Sequence, residues 1–163
     1  MVIDLQKVLE RFMEEHVALK KELNHVQEMT SHMVAILGSE ESKQLLQEIR
    51  KHMLTFMQQL EAHEHWEEAE VLPVLAEYAQ MGVEPTFLTS TWVMEEDHKQ
   101  AERFVRSFLE YVDICKCADR IKLKKAISLL SVACSVLSEH LVSEEEMVFP
   151  IANQLLSSIH TQS

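Results

Sequence analysis

Four stretches of this 163-residue chain carry apolar residues at steps of three and four, and each stripe is interrupted by histidine, alone or with glutamate. The first stripe runs Leu5, Leu9, Phe12, His16, Leu19, Leu23, Val26, Met33 and Leu37, and Gly38-Ser39 stops it. The second runs Leu45, Ile49, His52, Phe56, Leu60, His63, Glu67, Val71, Val74 and Tyr78, ending before Met81-Gly82-Val83-Glu84-Pro85. The third is Leu88, Trp92, Glu95, His98, Glu102, Val105, Leu109 and Val112; the fourth is Ala126, Leu130, Ala133, Leu137, His140, Glu144, Met147, Ile151 and Leu155. Such steps mark one face of an α-helix, where a turn takes about 3.6 residues. Ser39, followed by Glu40 and Glu41, reads as the N-cap of the second helix. Neither glycine nor proline marks the break between Cys115 and Asp119. Pro73 and Pro150 fall inside helical patterns and are expected to kink their helices. With two glycines and three prolines in all, the pattern predicts an all-α chain. Long helices joined by short connections pack as antiparallel neighbours, so the expectation is an up-down-up-down four-helix bundle forming a single domain over residues 1–163.

Charge and cysteine usage exclude several classes. With 27 acidic against 15 basic residues, the formal charge is −12, which repels a phosphate backbone and argues against nucleic acid as a partner. Cys115, Cys117 and Cys134 form an odd set without C-x-x-C spacing, unlike a disulfide framework or a thiolate zinc site. The N-terminus lacks a basic segment followed by an apolar one, and no apolar run approaches the roughly 20 residues needed to cross a bilayer. A cytoplasmic protein with no membrane partner is expected.

The polar interruptions carry the chemistry. His63-Glu-His-Trp-Glu67-Glu68 ending in Pro73 and His140-Leu-Val-Ser-Glu144-Glu145 ending in Pro150 share one spacing. Positions i and i+4 lie above one another on a helix, so each copy aims an imidazole and a carboxylate at one point. Around a turn near residue 40, His16 and His63 are each about 24 residues away, which puts them at one level. Turns near residues 83 and 117 bring Glu67, His98 and His140 to the same layer within about one helical turn, or 6 Å. His16, His63, Glu67, His98, His140 and Glu144 therefore converge.

Burying such a set unpartnered would cost roughly several kcal/mol for each carboxylate, against about 5–15 kcal/mol of net stability for a whole domain. A metal is the expected compensation. Imidazole with carboxylate suits iron, manganese or zinc, and the lack of thiolate disfavours an iron–sulfur cluster or copper(I). If both glutamates bridge two metals, each metal receives two nitrogens and two oxygens. A bridging oxide or hydroxide adds one donor, leaving an open position for dioxygen, nitric oxide or peroxide.

These residues resemble hemerythrin-like proteins with the HHE cation-binding domain. The resemblance rests on the order His, His-x3-Glu, His, His-x3-Glu, with His16 in Glu14-Glu15-His16-Val-Ala-Leu19 and His98 in Glu95-Glu96-Asp97-His98. It covers nearly the whole chain. It implies a non-haem centre of two iron ions that binds or senses dioxygen or another diatomic, with His16, His63, Glu67, His98, His140 and Glu144 as ligands. It also implies alternatives: an enzyme or stress protein acting on peroxide or nitric oxide, or an iron source for iron–sulfur cluster repair. Oxygen-carrying hemerythrins have a further histidine beside that of the third helix, where this chain has Met94 and Glu102. The symmetric set is closer to bacterial di-iron proteins of nitric oxide stress and cluster repair, which usually carry an extra N-terminal cysteine-containing domain.

Other polar residues receive specific expectations. Glu68 and Glu145, about 40° further round their helices, should support ligands from outside or face solvent; Glu145 is the better candidate for a ligand. His65, His25 and His32 point away from the seams, whereas His52 shares the seam of His63 but lies about 16 Å along the axis. Glu102, one turn from His98, could ligate metal, accept a hydrogen bond from His98 or be solvated. With Glu95 it is a candidate proton donor for an enzymatic reading. Trp66, Trp92, Phe104, Phe108 and Tyr111 read as packing residues, and Cys115-Lys-Cys117 as helix-end thiols.

Overall fold

The structure, a computed structural model, describes residues 2–79, 86–114 and 120–161. It contains helices α1 (Val2–Ala35), α2 (Glu40–Trp66), α3 (Leu72–Ala79), α4 (Thr86–Ile114) and α5 (Arg120–Thr161), with a π-helical turn over Glu67–Val71 joining α2 to α3. Since helical backbone runs unbroken from α2 through α3, these segments make the four rods of an all-helical bundle. α1 packs on α2 and α5, and α4 packs on α5 and α2. Neighbours are antiparallel. His16 meets His63 while Glu22 meets His52; Phe12 meets Phe149 while His16 meets Glu145; His98 meets Glu144 while Tyr111 meets Lys125.

The turn between α1 and α2 has the local chemistry its sequence implies. α1 ends at Ala35, and the turn after it carries Gly38 at φ +89°, in the left-handed region that side chains disfavour. The Ser39 hydroxyl accepts the Ser42 amide at 3.2 Å and donates to the Ile36 carbonyl at 2.7 Å. The turn over residues 81–85 and the Cys115–Asp119 break lie outside the described residues.

α1 buries Leu5, Leu9, Phe12, His16, Leu19, Leu23, Val26 and Met33, almost the predicted stripe. Its mean step near 3.5 residues suits shallow helix crossings. The other seams differ in detail. α2 buries Leu46 and Met53 and leaves Leu45 and His52 half-buried, so its seam runs one position later at the start than the stripe predicts. In α4 the small Ala101 fills the seam and Glu102 flanks it, with His98, Val105, Phe108 and Val112 completing the buried face. Trp92, Leu88, Tyr78, Ile151 and Leu155 have side chains outside the described ones.

Pro73 and Pro150 behave differently. Ahead of Pro73 the backbone widens, and the Leu72 amide donates to the Glu67 carbonyl five residues back. This wider turn accommodates a ring that would otherwise crowd the carbonyl four residues earlier. It also helps keep His63, Glu67, Val71 and Leu75 on one face, since four-residue steps drift about 40° each in a regular α-helix. Pro150 instead sits inside the unbroken α5.

The polar layer divides the interior. The larger core fills one side, from Leu19 and Leu23 through Phe56, Phe108 and Leu137. Leu5, Leu9, Phe12, Trp66, Val71, Leu75, Val148 and Ala152 form a smaller core on the other. One α5 stretch, within Arg120–Gln154, is long and apolar enough by composition to span a membrane, with a mean hydropathy of 1.5, contrary to the sequence expectation. Leu123, Ala126, Leu130, Ala133 and Leu137 bury one side of it in the larger core.

Two measurements test this packing. Ser39→Ala should cost about 1 kcal/mol, read as a lower urea midpoint with an unchanged slope. Burial pushes the Cys134 thiol up to about 11, so at pH 8 peptide mapping should find Cys134 alkylated only after unfolding.

Candidate metal centre

All six residues anticipated from spacing meet in the polar layer, and all six are buried. Glu144 on α5 is its centre. Its Oε1 lies 2.6 Å from His98 Nε2 and 2.7 Å from His140 Nε2; its Oε2 lies 2.8 Å from His16 Nε2 and 3.5 Å from His63 Nε2. One carboxylate thus addresses imidazoles from all four rods. Glu67 keeps to one side, with Oε2 3.1 Å from His63 Nε2. Donor atoms fall into two groups within 4.8 Å of one another: His16, His63, Glu67 and Glu144 in one, and Glu64, His98 and His140 in the other. Sequence reasoning missed Glu64.

The first group is held from outside. His16 Nδ1 faces Glu145 Oε1 at 3.1 Å, and Lys20 Nζ lies 2.6 Å from the same oxygen. His63 Nδ1 faces Glu15 Oε2 at 3.3 Å, and Arg11 Nε lies 3.6 Å from that oxygen. An ionised carboxylate only accepts, so each Nδ1–H donates outward, and each Nε2 is the inward atom that holds a proton or offers its lone pair to a cation. Those two Nε2 atoms stand 3.0 Å apart. Without a shared proton or a cation they would repel. Phe12 stacks on His16 with ring centroids 4.1 Å apart, closing the layer toward the smaller core.

Unmet polar atoms supply the test of fit. Both oxygens of Glu67, Oε2 of Glu144, Oε1 of Glu64, Nε2 of His140 and Nδ1 of His98 and His140 are buried without a hydrogen-bond partner among the described residues. Several are within 3.1 Å of a neighbouring donor or acceptor yet misaligned for a hydrogen bond with it. Buried groups of this kind are normally satisfied. Lone pairs that approach closely without pairing fit shared metal positions, and nitrogen with oxygen donors suits iron, manganese or zinc.

The residues' acid–base balance agrees. Burial works to lower the pKa of His63, but Glu144 and Glu67 outweigh it and push it up to about 10. His98 is raised as well, with burial opposed chiefly by Glu144 and Glu64. Burial raises Glu67 and pushes Glu64 up to about 7. Glu144 is also opposed by burial, yet its four imidazole neighbours hold it well below the usual carboxylate range.

The remaining expectations sort themselves by position. Glu145 pairs with His16 and Lys20, and half-exposed Glu68 lies 3.9 Å from His98 Nδ1. His65, His25 and His32 are exposed; His52 pairs with Glu22 and meets His25 edge to face. Glu95 is exposed, and Glu102 pairs with Arg106 at the surface, so Glu102 takes the solvated option. Trp66 packs in the smaller core with Arg11 4.3 Å over its ring, and Phe104, Phe108 and Tyr111 pack in or against the larger core. Cys115 and Cys117 lie outside the described residues.

A bundle that buries two His/carboxylate groups joined through one glutamate belongs to the class of helical cation-binding proteins, with a centre suited to two metal ions. Residues 7–153 match the hemerythrin HHE cation-binding domain, and the chain belongs to that family. No curated protein and no solved structure matches the chain significantly.

The pH dependence follows from His63. Its folded pKa, about 10, exceeds its ordinary value of 6.5, so its proton stabilises the metal-free bundle fully below that ordinary value. This contribution is lost as pH rises through the folded value. Metal-free protein should therefore lose urea resistance from pH 6.5 toward 10. A divalent ion must displace the same proton, so its affinity should rise with pH over that window. Loading at pH 8 in weak buffer should release protons; a titration that releases none would refute the protonated imidazole.

Proposed function

We propose that this protein is a non-haem di-iron protein that binds or senses dioxygen or a comparable diatomic such as nitric oxide. The observation that carries the reading is Glu144, whose two oxygens address the two histidine pairs separately. That is the placement a bridging carboxylate needs. His16 and His63 would hold one iron and His98 and His140 the other, with Glu67 on the His16/His63 side. Two bound irons would supply a reducing centre for the diatomic.

The chain's own residues favour uptake of something small. A cleft of about 230 Å³ between α4 and α5 reaches His140 past Asp97, Glu139 and Ser143. A second, of about 280 Å³, reaches His63 between α1 and α2 past Glu15 and Gln59. Both lie at the low end of ligand-pocket size or below it. Phe12, with Val148 and Trp66 behind it, excludes water on one side. Glu95 and Glu102, the candidate proton donors for turnover, sit at the surface away from both donor groups. That favours binding over catalysis. We take the protein to be cytoplasmic, an environment that keeps a buried thiol such as Cys134 reduced.

Absorption spectra of the reduced, iron-loaded protein before and after dioxygen, repeated with nitric oxide and peroxide, test the proposal. A reversible adduct is expected; rapid peroxide turnover, or ready iron release to an acceptor, would replace it with the enzymatic or iron-supply reading. His63→Ala and His140→Ala should each lose metal by elemental analysis. His65→Ala should keep it.

A further inference from the structure

Glu64 follows His63 directly, about 100° further round α2. The offset sends the two side chains to different neighbours: His63 meets His16 of α1, whereas Glu64 meets His98 of α4. Glu64 Oε1 stands 3.8 Å from His98 Nε2, and its donor atom lies within 4.8 Å of those of His98 and His140. That oxygen is buried and has no hydrogen-bond partner among the described residues, although the side chain as a whole keeps 16% exposure. An unpaired oxygen pressed among imidazoles is costly unless a cation shares the position.

Donor count points the same way. Glu67 groups with His16 and His63, and Glu144 approaches both pairs. With those two carboxylates alone, the His16/His63 position has two nitrogens and two oxygens, and the His98/His140 position has two nitrogens and one oxygen. Glu64 evens the count. It also sets three carboxylates against two divalent ions, reducing the net positive charge buried in the layer. We propose that Glu64 is a metal ligand, a terminal carboxylate on the His98/His140 position. The assignment rests on the binuclear reading above and changes the expected set from six ligands to seven, with Glu144 bridging and Glu64 and Glu67 terminal.

Anaerobic cobalt(II) titration of the full chain, followed by visible spectra and by metal analysis after gel filtration, tests it. Wild type should take up two equivalents. Glu64→Gln should keep the first and weaken the second by at least about tenfold, the low end of what even outer partners of metal ligands contribute. Glu64→Asp, which keeps the charge but shortens the reach, should weaken the second equivalent too, and carries the test if Glu64→Gln fails to fold. Glu68→Gln, which removes a half-exposed carboxylate 3.9 Å from His98 Nδ1, should match wild type. Two equivalents bound by Glu64→Gln with wild-type affinity and spectrum would overturn the ligand role alone. Loss of both equivalents together would overturn its placement on the His98/His140 position. Wild type binding fewer than two equivalents would instead overturn the binuclear reading on which the assignment rests.

Discussion

The carboxylate of Glu144 sets the terms for the rest of the molecule. It has no exposure to water, and every rod of the bundle sends an imidazole to it. An isolated carboxylate in that position would be too costly to keep ionised, so it must share the layer with positive charge. In the metal-free chain Glu144 pushes the pKa of His63 and of His98 up, which favours a proton there; in the loaded chain the charge would be metal. Either way the layer fixes the axial register of α1, α2, α4 and α5. The apolar cores on both sides then pack around a level already set.

Two copies of one sequence phrase end in unequal roles. Glu144 reaches all four histidines, while Glu67 keeps to the His16/His63 side, 3.1 Å from His63 Nε2. The backbone differs beneath them: Glu67 begins a π-helical turn, and Glu144 sits in regular α5. Support from outside is unequal as well. His16 and His63 are oriented by Glu145 and Glu15, each carrying its own cation, whereas Nδ1 of His98 and of His140 lack such partners among the described residues. Imidazoles whose outer nitrogen is hydrogen-bonded are better oriented and more basic ligands. The His16/His63 half is thus more firmly preorganised.

Most of this was legible in the sequence because helical periodicity reports directly on faces. The four rods and the convergence of His16, His63, Glu67, His98, His140 and Glu144 follow from steps of three and four, and the Ser39 cap from the two acids after it. The miss at Glu64 has a physical origin: a stripe assigns each helix a single inward face, but a helix in a bundle touches two neighbours. Glu64 lies off the α2 stripe because it serves α4 while His63 serves α1. Ala101 and Glu102 are adjacent in sequence and both fit the α4 spacing, and only packing chooses the small residue for the core. Glu15 was invisible for the complementary reason, since one glutamate among many on an acidic surface carries no periodic mark.

Drawing one histidine from each rod has a consequence beyond ligand geometry. The smaller core draws on α1, α2, the π-helical turn, α3 and α5, and α4 packs on α3 at this end. At the polar layer His98 joins α4 to the others, by its contacts with Glu144 and Glu64. Metal shared across the layer would add a tie between α4 and the other rods. Any ion that binds the folded layer and not the unfolded chain stabilises the bundle by mass action. The same donors that could present iron to a small ligand are thus also a tie among the four rods.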